Sequence, residues 1–255
     1  MRSLSRIDDI AERARAEGLR PWIAVKERIA EVVVTAMGRT EGAVLQGGAA
    51  LRFAYGSPRL SADVDFVGIA VGTVLEAAGP GLAEAAGAAL DCRATWSLSR
   101  RGKLLRGKVA IEQGAGRRLV LPVEAYEVPA HRVQSSPSAG TVEMPEEIVA
   151  DKVVASADRL SRRGALKTTD LFDLWHLLAR VGAPTPEVAL VVQKMRDYEQ
   201  PRRGAEPGSV ARAFPPEELQ AALEGVLPAA VLRTLPVREI LDAAADVLDT
   251  FRDVL

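Results

Sequence analysis

The chain has 255 residues, enough for one large hydrophobic core or two moderate ones. Its formal net charge of −1 excludes a global attraction to nucleic acid or membranes, so any such attraction must be local. The single cysteine excludes an internal disulfide and a cysteine-rich metal site. The N-terminus has no apolar signal-peptide region, and no apolar run approaches the roughly 20 residues that span a bilayer. We therefore expect a soluble, cytoplasmic protein that makes no membrane contact and is a monomer.

The first part of the chain predicts alternating helices and strands. Apolar residues at helical spacing indicate the helices. A strand is predicted where Val64 and Phe66 alternate with Asp63 and Asp65, because successive side chains of a strand point to opposite faces. The predicted elements are helices at 3–17, 22–37 and 49–55 and strands at 43–45 and 61–67.

An alanine-rich helical region follows over residues 72–90, and its Gly-Pro-Gly sequence at 79–81 predicts an interruption. Extended segments come next, the last two forming a hairpin with a turn at 114–116. The predicted strands are 93–98, 108–113 and 118–126. The predicted helices after them are 146–162, 168–181, 185–196, 215–224, 228–233 and 236–254.

These elements predict an α/β (α+β) protein with two parts. Residues 1–135 are expected to form a domain with a mixed sheet and helices. Residues 136–255 are expected to form a helical C-terminal domain that completes the active site.

Asp63 and Asp65 are the first candidate site residues. They point to the same side of the predicted strand, where two carboxylates repel each other unless a cation lies between them. Mg²⁺ prefers hard oxygen ligands and keeps positions open for water and substrate phosphates, and Mn²⁺ would serve similarly. The alternative is that one aspartate caps a turn and the other is merely solvated. We predict a metal site at Asp63 and Asp65, with Ser61 shaping the strand entry beside them.

Gly47 and Gly48 lie between the preceding predicted strand and a helix. At such a turn, backbone N–H groups and a helix N-terminus can bind phosphate. A tight turn without a ligand is the alternative. Because the glycines and the two aspartates occur together, we predict a site for a metal ion and a phosphate chain. We predict Gly47, Gly48 and Ser61 as its nucleotide-binding residues.

The run from Gly47 to Arg52, followed by the run from Leu60 to Phe66, resembles the AbiEii/AbiGii nucleotidyltransferase toxins. These toxins include the MenT proteins and belong to the DNA-polymerase-β-like nucleotidyltransferase superfamily. Residues 148–152 and 169–177 resemble the lysine motif and the Arg-Asp-x-x-Asp-Leu motif of the family, in the expected order. Ala49 stands where many members have Thr, and Thr169 stands where they have Arg.

The resemblance implies a nucleotidyltransferase-fold mixed sheet and transfer of NMP from an NTP. It also implies an RNA acceptor, in particular the 3′ end of tRNA, and a toxin that has a cognate antitoxin in a type IV pair. Two alternatives stay open. One is transfer to a hydroxyl of a protein or small molecule, and the other is a catalytically silent binding protein of the same fold.

The superfamily carries a third strand carboxylate, for which this chain offers two candidates. Glu124 ends an apolar predicted strand, and Glu112 lies on the adjoining strand of the hairpin. We favour Glu124, either at a second metal position or as acceptor of a proton from the attacking hydroxyl.

Lys152 lies among apolar residues on a predicted helix, in a chain with only six lysines among its 33 basic residues. A compact ammonium in such a place suggests neutralisation of a triphosphate oxygen. A surface lysine with a buried stem is the alternative. Asp170 and Asp173 share one side of the next helix. We predict Asp170 as a catalytic residue and Asp173 as a nucleotide-binding residue, although either could instead fix Lys152 or Arg159.

A basic segment lies between residues 93 and 118 and contains only one acid, Glu112. It would flank the predicted catalytic sheet, where a polyanionic substrate needs phosphate contacts. The alternative is a solvated hairpin face. The basic residues are Arg93, Arg100, Arg101, Lys103, Arg106, Lys108, Arg117 and Arg118.

Overall fold

The computed structural model describes residues 6–113, 117–202 and 204–255. They form two compact units. The first runs to Glu143 and also includes Gly225–Ala230, and the second comprises Met144–Glu224 and Val231–Leu255. The hairpin turn predicted at 114–116 lies outside the described residues.

The first unit combines helices with strands, and the strands at 133–136 and 140–143 were not predicted from the sequence. Its elements are α1 (Arg6–Ala16), α2 (Pro21–Met37), β1 (Val44–Gln46), α3 (Gly47–Phe53), β2 (Val64–Val67), α4 (Val71–Leu90), β3 (Ala94–Arg101), β4 (Leu104–Gln113), β5 (Arg117–Tyr126), β6 (Val133–Ser136) and β7 (Gly140–Glu143).

The seven strands form one mixed sheet in the order β3-β4-β5-β2-β1-β7-β6. Strand β2 pairs parallel with β5, and β1 pairs parallel with β7. The remaining neighbours are antiparallel. The predicted α/β class with a mixed sheet is confirmed.

Helix α4 packs on one face of this sheet. A Cβ on Gly79 of α4 would lie 2.1 Å from the indole nitrogen of Trp96 on β3, so the glycine admits the indole. The interruption predicted at 79–81 is wrong, because α4 continues through Pro80. A proline removes only its own N–H hydrogen bond, and packing against the sheet stabilises the helix around it.

The opposite face of the sheet carries the polar residues of the central strands. Val64 and Phe66 are buried, whereas Asp65 is only half-buried. Strand β2 begins at Val64 and not at residue 61, so that Asp63 directly precedes the strand.

The second unit is helical. Helix α11 packs on α6 and α8 through an apolar face that includes Ile240, Leu241 and Leu248. None of the helices in the described part of the chain is long and apolar enough to cross a membrane. The elements are α5 (Pro145–Arg163), α6 (Thr168–Trp175), a π-helical segment (His176–Val181), α7 (Val188–Asp197), α8 (Pro207–Arg212), α9 (Pro216–Leu223), α10 (Ala229–Leu232), which begins in the first unit, and α11 (Val237–Thr250).

Candidate active site

The two glycines lie where the start of α3 approaches the strand that carries the aspartates. Gly47 has φ = 65°, and a Cβ there would lie 3.0 Å from Oδ2 of Asp65. A Cβ on Gly48 would lie 2.8 Å from Nη2 of Arg59 and 2.9 Å from Oγ of Ser61. Gly47 is therefore favoured by its backbone conformation, and at both positions a neighbouring side chain would have to shift to admit a Cβ.

Asp63 directly precedes β2, and Asp65 lies within it. Both aspartates are half-buried. Ser61 Oγ donates a hydrogen bond of 3.2 Å to Oδ1 of Asp63. The predicted cluster of Gly47, Gly48, Ser61 and the two aspartates thus exists within the first unit.

A half-buried ion pair shapes the loop that leads to Asp63. Arg52 of α3 pairs with Glu27 of α2 and donates a hydrogen bond of 3.0 Å to the Ser57 carbonyl. The backbone N–H of Ser61 donates to Oε2 of Glu27 at 3.4 Å. Burial raises the pKa of Glu27, and the positive charge of Arg52 opposes this effect. The loop is therefore held by α2 and α3.

Glu124 lies beside Asp65, because the two residues are partners in the register of the parallel strands β2 and β5. Their side chains leave the sheet on the same face, on strands about 4.8 Å apart. Glu112 is paired in register with Arg118 instead. Arg118 lies six residues from Glu124 along β5, a distance of about 20 Å. The structure brings Glu124 to the aspartates and leaves Glu112 remote.

Two cations near the aspartates escaped the sequence patterns. Arg59 is 7% exposed, and its guanidinium lies against Gly48 and donates to the Leu60 carbonyl. Lys26 of α2 places Nζ 3.5 Å from the Ala62 carbonyl and 5.4 Å from the centre of the Trp22 ring. Burial lowers the pKa of Lys26, and the negative charge of Asp63 opposes this effect. Lys26 lies on a predicted helix that carries no motif, and Arg59 lies in a loop, so the sequence patterns pointed to neither residue.

The donor set fits a hard divalent cation. In the part of the chain that the structure describes, no three His, Cys, Asp or Glu side chains form a ready metal-binding group. Mg²⁺ commonly uses one or two carboxylates and completes its shell with water and substrate phosphates. Asp63 and Asp65 would supply those carboxylates, and Gly47 approaches Asp65.

Much of the positive charge of the basic segment between residues 93 and 118 is paired with acids of the first unit. Arg100 binds Glu127 and approaches Glu76, and both Arg93 and Arg118 approach Glu112. Nε of Arg106 lies 3.2 Å from Oε1 of Glu124. Arg106 of the basic segment therefore contacts Glu124, the glutamate beside Asp65.

In the second unit, Lys152 of α5 lies between the two predicted aspartates of α6. Its Nζ is 2.9 Å from Oδ1 of Asp170 and 2.7 Å from Oδ2 of Asp173, and all three side chains are buried. Burial by itself would raise the pKa of Asp170, but the charges of Lys152 and Lys167 outweigh burial and hold that pKa below its usual range. Asp170 also lies 3.8 Å from Arg159.

A second buried lysine on α7 repeats this arrangement and was not anticipated. Nζ of Lys194 lies 2.6 Å from Oε1 of Glu147 and 3.2 Å from Oδ2 of Asp151, both on α5. Lys194 and Glu147 are fully buried. The spacing of Glu147 and Asp151, four residues apart on one helix, was the available signal.

Residues 36–251 match the sequence model of a family described as nucleotidyl transferase AbiEii toxin of a type IV toxin–antitoxin system. A comparison with the curated proteins finds no match.

Two solved structures share the fold. MenT4, a nucleotidyltransferase toxin from Mycobacterium tuberculosis, is 20% identical with a TM-score of 0.57, and the alignment covers 98% of this chain and 100% of that one. JHP933 from Helicobacter pylori is 18% identical with a TM-score of 0.53, and the alignment covers 96% of this chain and 94% of that one. The predicted nucleotidyltransferase fold is confirmed.

Proposed function

The chain belongs to the AbiEii family of type IV nucleotidyltransferase toxins, and on that premise we propose that it transfers NMP from an NTP to an RNA acceptor, with a divalent metal ion bound by Asp63 and Asp65. The predicted membership of this family and the predicted nucleotidyltransferase activity are confirmed. The metal, the acceptor and the roles of individual residues form the proposal.

The observation that carries the proposal is that a phosphate-compatible turn approaches Asp65, which has Asp63 and Glu124 as neighbours. Asp65 and Glu124 are register partners, Asp63 is two residues from Asp65, and Gly47 approaches Asp65 directly. Such a set suits a triphosphate, whose negative charge needs both cations and backbone donors.

Each group then has a defined task. Mg²⁺, or Mn²⁺ in its place, would neutralise charge on the triphosphate and on the departing pyrophosphate. Gly47 and Gly48 would donate backbone N–H groups to phosphate oxygens, with Arg59 and Ser61 beside them. The acceptor hydroxyl oxygen forms a bond to the α-phosphorus while the bond to the pyrophosphate oxygen breaks, and Glu124 accepts the hydroxyl proton.

The buried triad of the second unit keeps its predicted place in this proposal. Within the second unit, Asp170 and Asp173 orient the ammonium of Lys152, and the predicted roles of the three residues in nucleotide binding stay part of the proposal.

We extend the proposal to the biological setting. The acceptor would be the 3′ end of tRNA, the enzyme would act in the cytoplasm as a monomer, and a cognate antitoxin would restrain it. The exposed Arg106 and Lys108 support an RNA acceptor, because they lie on β4, the strand that pairs with the strand of Glu124.

The test is transfer of labelled NTPs to total tRNA in the presence of Mg²⁺. Asp63→Asn and Asp65→Asn should each lower the rate by about a hundredfold or more, because several kcal/mol of charge stabilisation are lost. Asp91→Asn is the matched control, because Asp91 ends α4 in a left-handed conformation that asparagine also adopts. Full activity of both site variants would refute the metal assignment.

The same assay separates the alternatives. Label in protein or in a small molecule, with none in RNA, would assign a different acceptor to the same chemistry. Absence of any transfer, together with absence of Mg²⁺-dependent NTP binding, would identify a silent member of the fold.

A further inference from the structure

One line of side chains crosses the polar face of the sheet in the first unit. Ser99, Arg106, Glu124, Asp65 and Gln46 are successive register partners on β3, β4, β5, β2 and β1. We call this line the carboxylate row. Its members leave the sheet on the same side and follow one another at the strand spacing of about 4.8 Å.

Arg106 and Asp65 flank Glu124 in the carboxylate row. On one side, Nε of Arg106 lies 3.2 Å from Oε1 of Glu124. On the other side stands Asp65, one of the two proposed metal ligands. A carboxylate in this position can serve the guanidinium or a cation held at the aspartates.

The ion pair is exchangeable. The side chain of Arg106 is 52% exposed and that of Glu124 is 31% exposed, and ion pairs of such exposure contribute little net free energy. A divalent ion carries twice the charge of a guanidinium and prefers carboxylate oxygen. Arg106 is also free to turn toward solvent, since it is not enclosed by the core.

We propose that Arg106 and the divalent metal ion compete for Glu124, so that metal binding releases Arg106 to contact a phosphate of the acceptor RNA. Arg106 is then a positioning residue that couples the metal state of the site to binding of the acceptor. This inference rests on the proposed function.

The first test measures Mn²⁺ binding alone, by the electron paramagnetic resonance signal of free Mn²⁺. Arg106→Gln should tighten Mn²⁺ binding about two- to fivefold, the range expected for loss of an exposed competing pair. In an E124Q background the same substitution should have no effect, because the contested carboxylate is absent.

Arg118→Gln is the matched control. Arg118 is also an exposed arginine beside a glutamate on this hairpin, 3.6 Å from Glu112, but it lies far from Asp65. Its removal should leave Mn²⁺ affinity unchanged. If R106Q tightened Mn²⁺ binding equally in the wild-type and E124Q backgrounds, the cause would be the general loss of positive charge, and the competition for Glu124 would be refuted. The competition would also be refuted if R106Q did not tighten Mn²⁺ binding at all.

The second test measures the affinity of a single-stranded RNA oligonucleotide by fluorescence anisotropy, with saturating Mn²⁺ and with a chelator. R106Q should weaken binding several-fold with Mn²⁺ and have little effect without it, because Glu124 then holds the guanidinium. Equal losses in both conditions would make Arg106 an ordinary phosphate contact and overturn the release.

These outcomes are separable from failure of the proposed function. If D63N and D65N bind Mn²⁺ as the wild type does, the metal site itself is wrong. If they lose Mn²⁺ while R106Q changes nothing, the metal site stands and only the role of Arg106 is refuted.

Discussion

Lys152 and Asp173 form a buried ion pair in which Nζ lies 2.7 Å from Oδ2, and the aspartate side chain is only 1% exposed. Asp170 binds the same ammonium at 2.9 Å. Lys152 thus binds both carboxylates of α6, while Arg159 lies 3.8 Å from Asp170, and this arrangement has consequences for stability.

Lys152→Met should destabilise the protein by about 3–5 kcal/mol, because it removes the nearest cation from two buried carboxylates. Urea unfolding monitored by circular dichroism measures the change. Lys167→Met is the control, because Lys167 is exposed and acts on Asp170 only through its charge. Similar losses in both variants would contradict a structural role for the buried contact.

The lowered pKa of Asp170 predicts a dependence of stability on pH. A carboxyl group whose pKa is lower in the folded state stabilises the fold above its unfolded pKa of about 3.9, and this contribution is lost as pH falls through the folded pKa. The free energy difference between the wild type and D170N should therefore be widest near neutral pH and shrink below about pH 4. For Asp246→Asn, whose side chain is 71% exposed, the difference should stay small throughout. If the difference in unfolding free energy between the wild type and D170N did not depend on pH, the lowered pKa of Asp170 would not contribute to stability.

Gly47→Ala should cost about 1–2 kcal/mol through the positive φ and should also abolish nucleotidyl transfer, because the new Cβ displaces Asp65. Gly56→Ala is the matched control. Gly56 has φ = 67°, but a Cβ there meets nothing within 4 Å. The two variants should lose comparable stability in urea, while only G47A loses transfer. Retained activity in G47A would mean that this approach to Asp65 is not needed.

Glu124→Gln should lower the rate of transfer by about 10²–10⁴-fold, the range for loss of a general base. Glu112→Gln should leave the rate within about twofold, since it lies roughly 20 Å along the strands from the aspartates. Single-turnover rates with saturating NTP measure both effects. The reverse result would assign the third carboxylate to Glu112.

Lys194→Met should be as destabilising as K152M, about 3–5 kcal/mol, because Glu147 is fully buried beside it. The double replacement K194M/E147M should recover at least part of this loss, since an apolar pair needs no charge compensation. Urea unfolding of the two variants measures the recovery. A double variant less stable than K194M would indicate that Glu147 has further essential partners.

Local patterns predicted much of the architecture. The alternation around Asp63 and Asp65 predicted β2, and Gly47-Gly48 predicted the turn into α3, because both depend on neighbours along the chain. The same reasoning failed at α4. Pro80 predicts a helix break, but α4 is stabilised by packing on the sheet. The contact of Gly79 with Trp96 belongs to this packing, and Trp96 lies on a strand that follows the helix in the sequence.

The sequence by itself identified the two aspartates, the glycine turn and the lysine motif as candidate site residues, since each is a short pattern with its own chemistry. Only the tertiary structure showed that Glu124, and not Glu112, lies beside Asp65, because that position depends on the parallel register of β2 and β5, two strands separated by a helix and a hairpin. It likewise placed Lys26 and Arg59 beside the aspartates and Arg106 on Glu124. Such contacts join distant segments and are selected by packing of buried side chains, which periodicity along the chain does not record.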